Sequence, residues 1–194
     1  MSELNIKDIL RSGHVIRWQI VRTVRDQTLA EHLFTVTILS IEMSNRVFTK
    51  GISDQMKLKM IDWALRHDMP EIYTGDVATP VKKRMKAVDP GFFDTIERGI
   101  SKKYSDAKDS VSGTPFEVIV KLADLLDGIS FLDTEGLGDH AKDVSRKLKT
   151  EYANLVETAK VRFFDLNWNE STKMLYEVTE GKDSHLEYES NGGI

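Results

Sequence analysis

The chain has 194 residues, 40% apolar and 30% charged, which suits one compact core and excludes a disordered polymer. Its 27 basic and 31 acidic residues give a formal charge of −4, so no field for nonspecific nucleic-acid binding exists, and no nucleic-acid partner is expected. With no cysteine there is neither a disulfide framework nor a thiolate metal site, and any metal must sit on nitrogen and oxygen ligands.

Helical periodicity dominates the chain, and the expected fold class is all-α, a single-domain helical bundle over residues 1–180. Residues 3–12 carry a short amphipathic segment (Leu4, Ile6, Ile9, Leu10) with Gly13 as a stop. Residues 28–48 predict a long helix, with Thr28 as N-cap and Glu31 at capping-box spacing. Residues 54–68 predict a third helix. Pro70 disfavours helical geometry at Met69, so the chain should break after Asp68 and restart with Pro70 in a first turn. Residues 74–91 form the longest stretch without periodicity and are expected to be an ordered loop carrying a basic run. Further helices are expected over 92–105, 115–133 and 139–165, with glycine connections at Gly113 and at Gly136 and Gly138. The tail over 181–194 is polar and expected to fray. No apolar run reaches the ~18 residues of a membrane span, and no signal-peptide core opens the chain, so no membrane partner and a cytoplasmic location are expected.

Against this background, His67-Asp68, with His32 upstream and Asp124 downstream, stands out. His32 shares a stripe with Val36, Leu39 and Met43, and Asp68 extends the stripe of Ile61 and Ala64. Imidazoles and carboxylates on core-facing stripes are costly to bury without partners, and a divalent transition metal is one such partner. Adjacent His67 and Asp68 can ligate together only where the helix ends, because neighbours on a regular helix point about 100° apart. The Pro70 break provides that irregularity. Asp127, three residues after Asp124 on a helix apolar on most faces, competes for the fourth ligand position. No Walker A loop, dinucleotide fingerprint or nucleophile elbow is present, and His14, His140 and His185 are expected to be ordinary surface residues.

The ordered set Arg17-Trp18, Glu31-His32, HDxxE at 67–71, TGDxxTPxK at 74–82 and Lys121-Leu-Ala-Asp124 resembles the HD-domain phosphohydrolases. More closely it is similar to their compact 5'-deoxynucleotidase branch, to which small phage dATP triphosphohydrolases belong. The resemblance covers residues 16–127 and implies an HD bundle with His32, His67, Asp68 and Asp124 as ligands to one divalent Zn, Co, Mn or Fe ion. A triphosphate would leave room for a second ion such as Mg. It also implies Glu71 as acid/base, Asp76 as a second acidic position near the attacking water or substrate, and Trp18 as a wall against the sugar's 2'-hydroxyl. Arg17 suits a phosphate by its bidentate fork. Thr79 and Lys82 match the family's pattern, and Lys83, Arg84 and Lys86 add cations next to them.

The expected activity is metal-dependent hydrolysis of a small-molecule 2'-deoxynucleotide at its 5' phosphoester, by a homo-oligomer (dimer or hexamer). A triphosphohydrolase releasing deoxynucleoside and triphosphate is favoured by the basic run, with a 5'-nucleotidase acting on monophosphates as the alternative. A non-catalytic nucleotide-binding module is disfavoured, because Glu71 accompanies all four ligands.

Overall fold

The computed structural model describes residues 5–92, 95–96, 99 and 102–181. Its helices in chain order are α1 (Ile6–Leu10), α2 (Leu29–Val47), α3 (Asp54–Arg66), α4 (Glu71–Thr74) and α5 (Thr79–Val88). They continue with α6 (Lys102–Val111), α7 (Pro115–Glu135), α8 (Gly138–Arg162) and α9 (Asn169–Glu180). Only isolated bridges, Ile16 with Thr28 and Thr23 with Gly136, stand in for strands among the described residues.

Helix α7 is the axis of the bundle because its sequence is apolar on nearly every face: Ile119, Leu122, Ala123, Leu126 and Ile129 are buried together with Val118, Leu125 and Phe131. Pro115 sits in its first turn, where a missing N–H costs nothing. Helices α2, α8 and α9 pack against it, and α3 packs on α2 and α6. Val36, Met43 and Val47 of α2, Met60 and Ala64 of α3, Tyr152 and Val156 of α8, and Trp168 and Met174 around α9 complete one core.

The α2 start is as expected, with Thr28 Oγ1 accepting from the Glu31 N–H at 3.2 Å. The reciprocal half of the capping box is not made, because the Glu31 carboxylate pairs with Arg25 instead. Helix α3 starts on Ser53 and ends at Arg66, with His67 as C-cap, and the chain turns through Asp68 and Met69 into α4 with Pro70 as N-cap. Gly75 closes that short helix at φ 70°, a left-handed conformation that side-chain-bearing residues rarely adopt.

Three expectations need correction. Residues 79–88 are helix α5 rather than loop. It buries no residue, and its apolar stripe is only Val81, Met85 and Val88; Pro80 in the first turn and good helix formers after it suffice. The helix expected over 139–165 ends at Arg162, and α9 was not anticipated. The segment over 3–12 is helical only over Ile6–Leu10, and Gly13 lies within a following 3₁₀ turn, Arg11–His14, rather than stopping the helix. Of the helix expected over 92–105, most falls outside the described residues, and its described part belongs to α6, which runs on to Val111. The tail beyond Gly181 also lies outside them. Among the described residues no helix is long and apolar enough to cross a membrane.

Candidate active site

His32 from the first turn of α2, His67 and Asp68 from the α3–α4 corner and Asp124 from α7 converge. One donor atom from each lies within 4.8 Å of the others. His32 Nε2 stands 3.3 Å from His67 Nε2, 3.4 Å from Asp68 Oδ2 and 3.4 Å from Asp124 Oδ1. Two ligands each ~2.1 Å from one ion at a tetrahedral angle stand about 3.4 Å apart, so the spacing fits a single transition-metal ion. Adjacent His67 and Asp68 share the site because the helix ends between them, as the Pro70 argument requires.

The other ring nitrogens are occupied in the manner of metal-ligating histidines. His32 Nδ1 is 2.6 Å from Asp127 Oδ2, and His67 Nδ1 is 2.8 Å from the Ala64 carbonyl. Both rings therefore present Nε2 to the cluster. Of the two aspartates that compete for the fourth position, Asp124 lies in the cluster, and Asp127, 5% exposed, sits behind His32.

Electrostatics point the same way. Burial and the Arg17 charge push the His32 pKa down. Hydrogen bonds to Asp127 and Asp68, with Asp124 nearby, outweigh them and raise it to about 9. Burial also works against charge on Asp124, yet Lys121 and the His32 imidazole hold its pKa well below the usual carboxylate range. Burial lowers the His67 pKa and keeps that ring neutral, the form that ligates.

Glu71 opens α4 one turn beyond His67 and is 5% exposed. Its Oε1 accepts from Lys82 Nζ at 2.9 Å, while Oε2 is buried with no partner. Burial, reinforced by Asp68 and Asp76 and opposed by Lys82, pushes its pKa up to about 8. A buried, unpaired carboxyl oxygen beside a cleft calls for a partner from the cleft, such as a water.

The cleft has a volume of about 500 Å³, within the range of small-molecule sites. Residues 17–21 of an irregular segment form one wall: Arg17 N–H donates to the Gln27 carbonyl at 2.9 Å, closing the segment on itself, and Val24 N–H donates to the Glu135 carbonyl at 2.8 Å, tying it to α7. Trp18 sits there with φ 65°, strained for a bulky residue. Its backbone N–H donates to Asp76 Oδ2 at 2.9 Å and its indole N–H to Gln27 Oε1 at 2.8 Å. The indole also stacks on Phe131, with centroids 6.2 Å apart and planes 6° from parallel. One part of Trp18 is thus core and another is cleft wall. Gly128 lets the ring approach α7, since a Cβ there would lie 3.3 Å from it. Arg17 lies over the acidic cluster, its Nη2 3.8 Å from Asp124 Oδ1 and 4.0 Å from Asp68 Oδ2, and its buried Nε has no partner.

Thr79, Lys82 and Lys83 line the opposite side from α5, whereas Arg84 and Lys86 are exposed and do not line the cleft. Lys121, Lys147 and His140 also line the cleft, though the sequence analysis gave none of them a place in the site. Lys121 donates to Asp124 Oδ2 at 2.8 Å, and its signal was its place three residues before a ligand. Lys147 and His140 border the cleft from α8; His140 is exposed, as expected, and Lys147 is exposed with it. Nothing in the sequence ties α8 to the site.

A helical bundle that gathers H…HD…D donors beside a buried glutamate defines an HD-domain phosphohydrolase, a class of metal-dependent phosphoric ester hydrolases. The 5'-deoxynucleotidase YfbR-like family model matches residues 6–107, and the chain belongs to that family. It is 32% identical to the dATP triphosphohydrolase of Salmonella phage PMBT28 over 147 residues, 74% of this chain and 73% of the relative. With the dATP triphosphohydrolase of Acinetobacter phage SH-Ab 15497 it shares 29% identity over 193 residues, 93% of each chain. The structure of the cyanophage S-2L HD phosphohydrolase DatZ, bound to dA and one catalytic Zn²⁺ ion, superimposes with a TM-score of 0.74 at 25% identity. That match covers 91% of this chain and 97% of the other.

Proposed function

We propose that the protein hydrolyses 2'-deoxynucleoside triphosphates, deoxyadenosine triphosphate foremost, to deoxynucleoside and inorganic triphosphate. The observation that carries this reading is one cleft joining two features. One is the four-donor cluster with the unpartnered Glu71 Oε2, and the other is a set of cations from three helices, Lys82, Lys83, Lys121 and Lys147. The two phage relatives, each a dATP triphosphohydrolase, support it.

His32, His67, Asp68 and Asp124 would hold the ion; the Zn²⁺ of the cyanophage structure favours zinc, with cobalt, manganese and iron compatible with the same donors. Such an ion supplies a water of lowered pKa and neutralises phosphate charge. In the reaction a water oxygen bonds to the α-phosphorus, the bond from phosphorus to the 5'-oxygen breaks, and that oxygen leaves with a proton. Glu71 exchanges that proton at Oε2, and Lys82 on Oε1 keeps the carboxyl group oriented. Asp76 acts through Trp18, whose backbone it fixes. Arg17 offers its fork to the phosphate next to the ion, and Thr79, Lys82 and Lys83 take the phosphates beyond it.

The family description favours a second reading, hydrolysis of deoxynucleoside monophosphates to deoxynucleoside and orthophosphate. Product analysis separates the two: intact triphosphate from dATP supports the first, while orthophosphate alone, with monophosphates cleaved faster, establishes the second. The cations give an independent test. A charge-assisted bond to phosphate contributes about 1.5–3 kcal/mol, less where solvent screens it. Replacing Lys82 and Lys83 together by alanine should therefore raise KM for a triphosphate far more than for a monophosphate, and the difference should shrink in high salt. Equal changes for both substrates would remove the lysines from the polyphosphate path.

Sugar choice is assigned to Trp18. Crowding of one hydroxyl is worth about 1–3 kcal/mol, so Trp18→Ala should narrow the kcat/KM gap between deoxy- and ribonucleotides by about 10-fold without erasing it. The same substitution removes the Phe131 stack and should lower the melting temperature. A lower melting temperature with an unchanged sugar ratio would leave Trp18 a core residue only.

A further inference from the structure

Gln27 is 2% exposed and lies two residues before α2, neither a cleft-lining residue nor one of the four donors. Its carboxamide nevertheless connects them. On one side Oε1 accepts the Trp18 indole N–H at 2.8 Å, with Arg17 Nη1 at 3.5 Å. On the other, Nε2 donates at 2.9 Å to Asp127 Oδ2, the oxygen that faces His32 Nδ1 at 2.6 Å. The amide has one workable orientation. Turned over, it would set N–H against N–H at Trp18 and oxygen against oxygen at Asp127. The segment carrying Trp18 is thereby fixed through a buried relay to the ring that heads the metal cluster. In a low-dielectric site such relays are stiff, and partners behind a ligating histidine govern its affinity.

We propose that Gln27 is a positioning residue that locks the Trp18 wall and the His32 donor into one unit, so that sugar selection and metal binding are coupled through its amide. The sugar half of this rests on the deoxynucleotide reading; the metal half does not.

The test is a double-mutant cycle on Zn²⁺ affinity, measured by competition with a chromophoric chelator, using the full chain. Gln27→Met keeps the side chain's length and removes both hydrogen bonds. It should weaken Zn²⁺ by about 10–100-fold, the scale for loss of a partner behind a metal ligand, and should also narrow the deoxy-to-ribo ratio. Trp18→Phe keeps a ring on the wall but frees Gln27 Oε1, and should weaken Zn²⁺ several-fold although Trp18 touches no donor. In the Gln27→Met background the same Trp18→Phe change should no longer alter Zn²⁺ affinity. A merely structural glutamine would lower thermal stability and leave Zn²⁺ affinity alone, and that result overturns the proposal, as do independent, additive effects in the cycle. If Gln27→Met does not fold, Trp18→Phe decides by itself, and parental Zn²⁺ affinity there also overturns it. A parent protein that cleaves no deoxynucleotide would refute the proposed substrate while the Zn²⁺ cycle still reads the coupling.

Discussion

Glu71→Ala is expected to lower turnover by about 10²-fold or more while the protein keeps its metal and binds substrate with little change, the scale of a lost proton-transfer group. Three features motivate the size of this effect. Glu71 stands one turn beyond His67, its Oε2 is buried and unpartnered, and its surroundings raise its pKa to about 8, within working range for exchanging a proton near neutrality. The stability cost should be modest, because the partner left behind, Lys82, is 36% exposed in its side chain and can turn to solvent. Glu71→Gln is the sharper companion: it preserves the shape and the acceptor for Lys82 and removes only the exchangeable carboxyl proton. Single-turnover rates with metal content measured on the same samples check both. Near-parental turnover in either variant would make Glu71 structural and turn attention to Asp76.

His67→Ala is expected to abolish metal retention and turnover together. The parent should carry about one transition-metal ion per chain, and chelation should remove activity that zinc, cobalt or manganese restores. His67 is the most informative ligand to delete, because behind the cluster its ring meets only a backbone carbonyl, that of Ala64, and the edge of Trp63, so its loss strands no buried charge there and the fold should survive. Deleting His32 confuses two effects. That ring is fully buried, and its loss would take from buried Asp127 its shortest partner, at 2.6 Å, leaving only Gln27 and Arg17 on that oxygen. Elemental analysis of folded His67→Ala is the check; full metal occupancy there would remove His67 from the ligand set.

The HD corner was legible in the sequence because the argument for it is local. Pro70 ends α3 within three residues of His67, so both side chains at the corner can face one point, whatever the rest of the chain does. The α2 start was legible for the same reason, since a threonine cap bonds within its own first turn. Helix α5 was hard to read, because its apolar stripe is only Val81, Met85 and Val88, set among four cations, and none of it is buried. Helix α9, by contrast, does carry an apolar stripe, with Met174 buried and Leu175 and Val178 packed against the core.

What the sequence determined by itself is therefore the all-α class, the long helices with apolar stripes, and a set of donor residues whose order and spacing carry their chemistry. The tertiary structure decided the rest, and the reason is distance along the chain. Asp124 and Asp127 sit three residues apart on one helix, and only the way α7 lies across α2 directs the first to the donor cluster and the second to the back of His32. Gln27 bonds to a carboxylate 100 residues away. Lys147 and His140 join the cleft because α8 packs along α7, not because of anything near them in sequence. Periodicity and capping act over one or two helical turns, whereas the orientation of a side chain toward a remote partner is set by packing of whole helices.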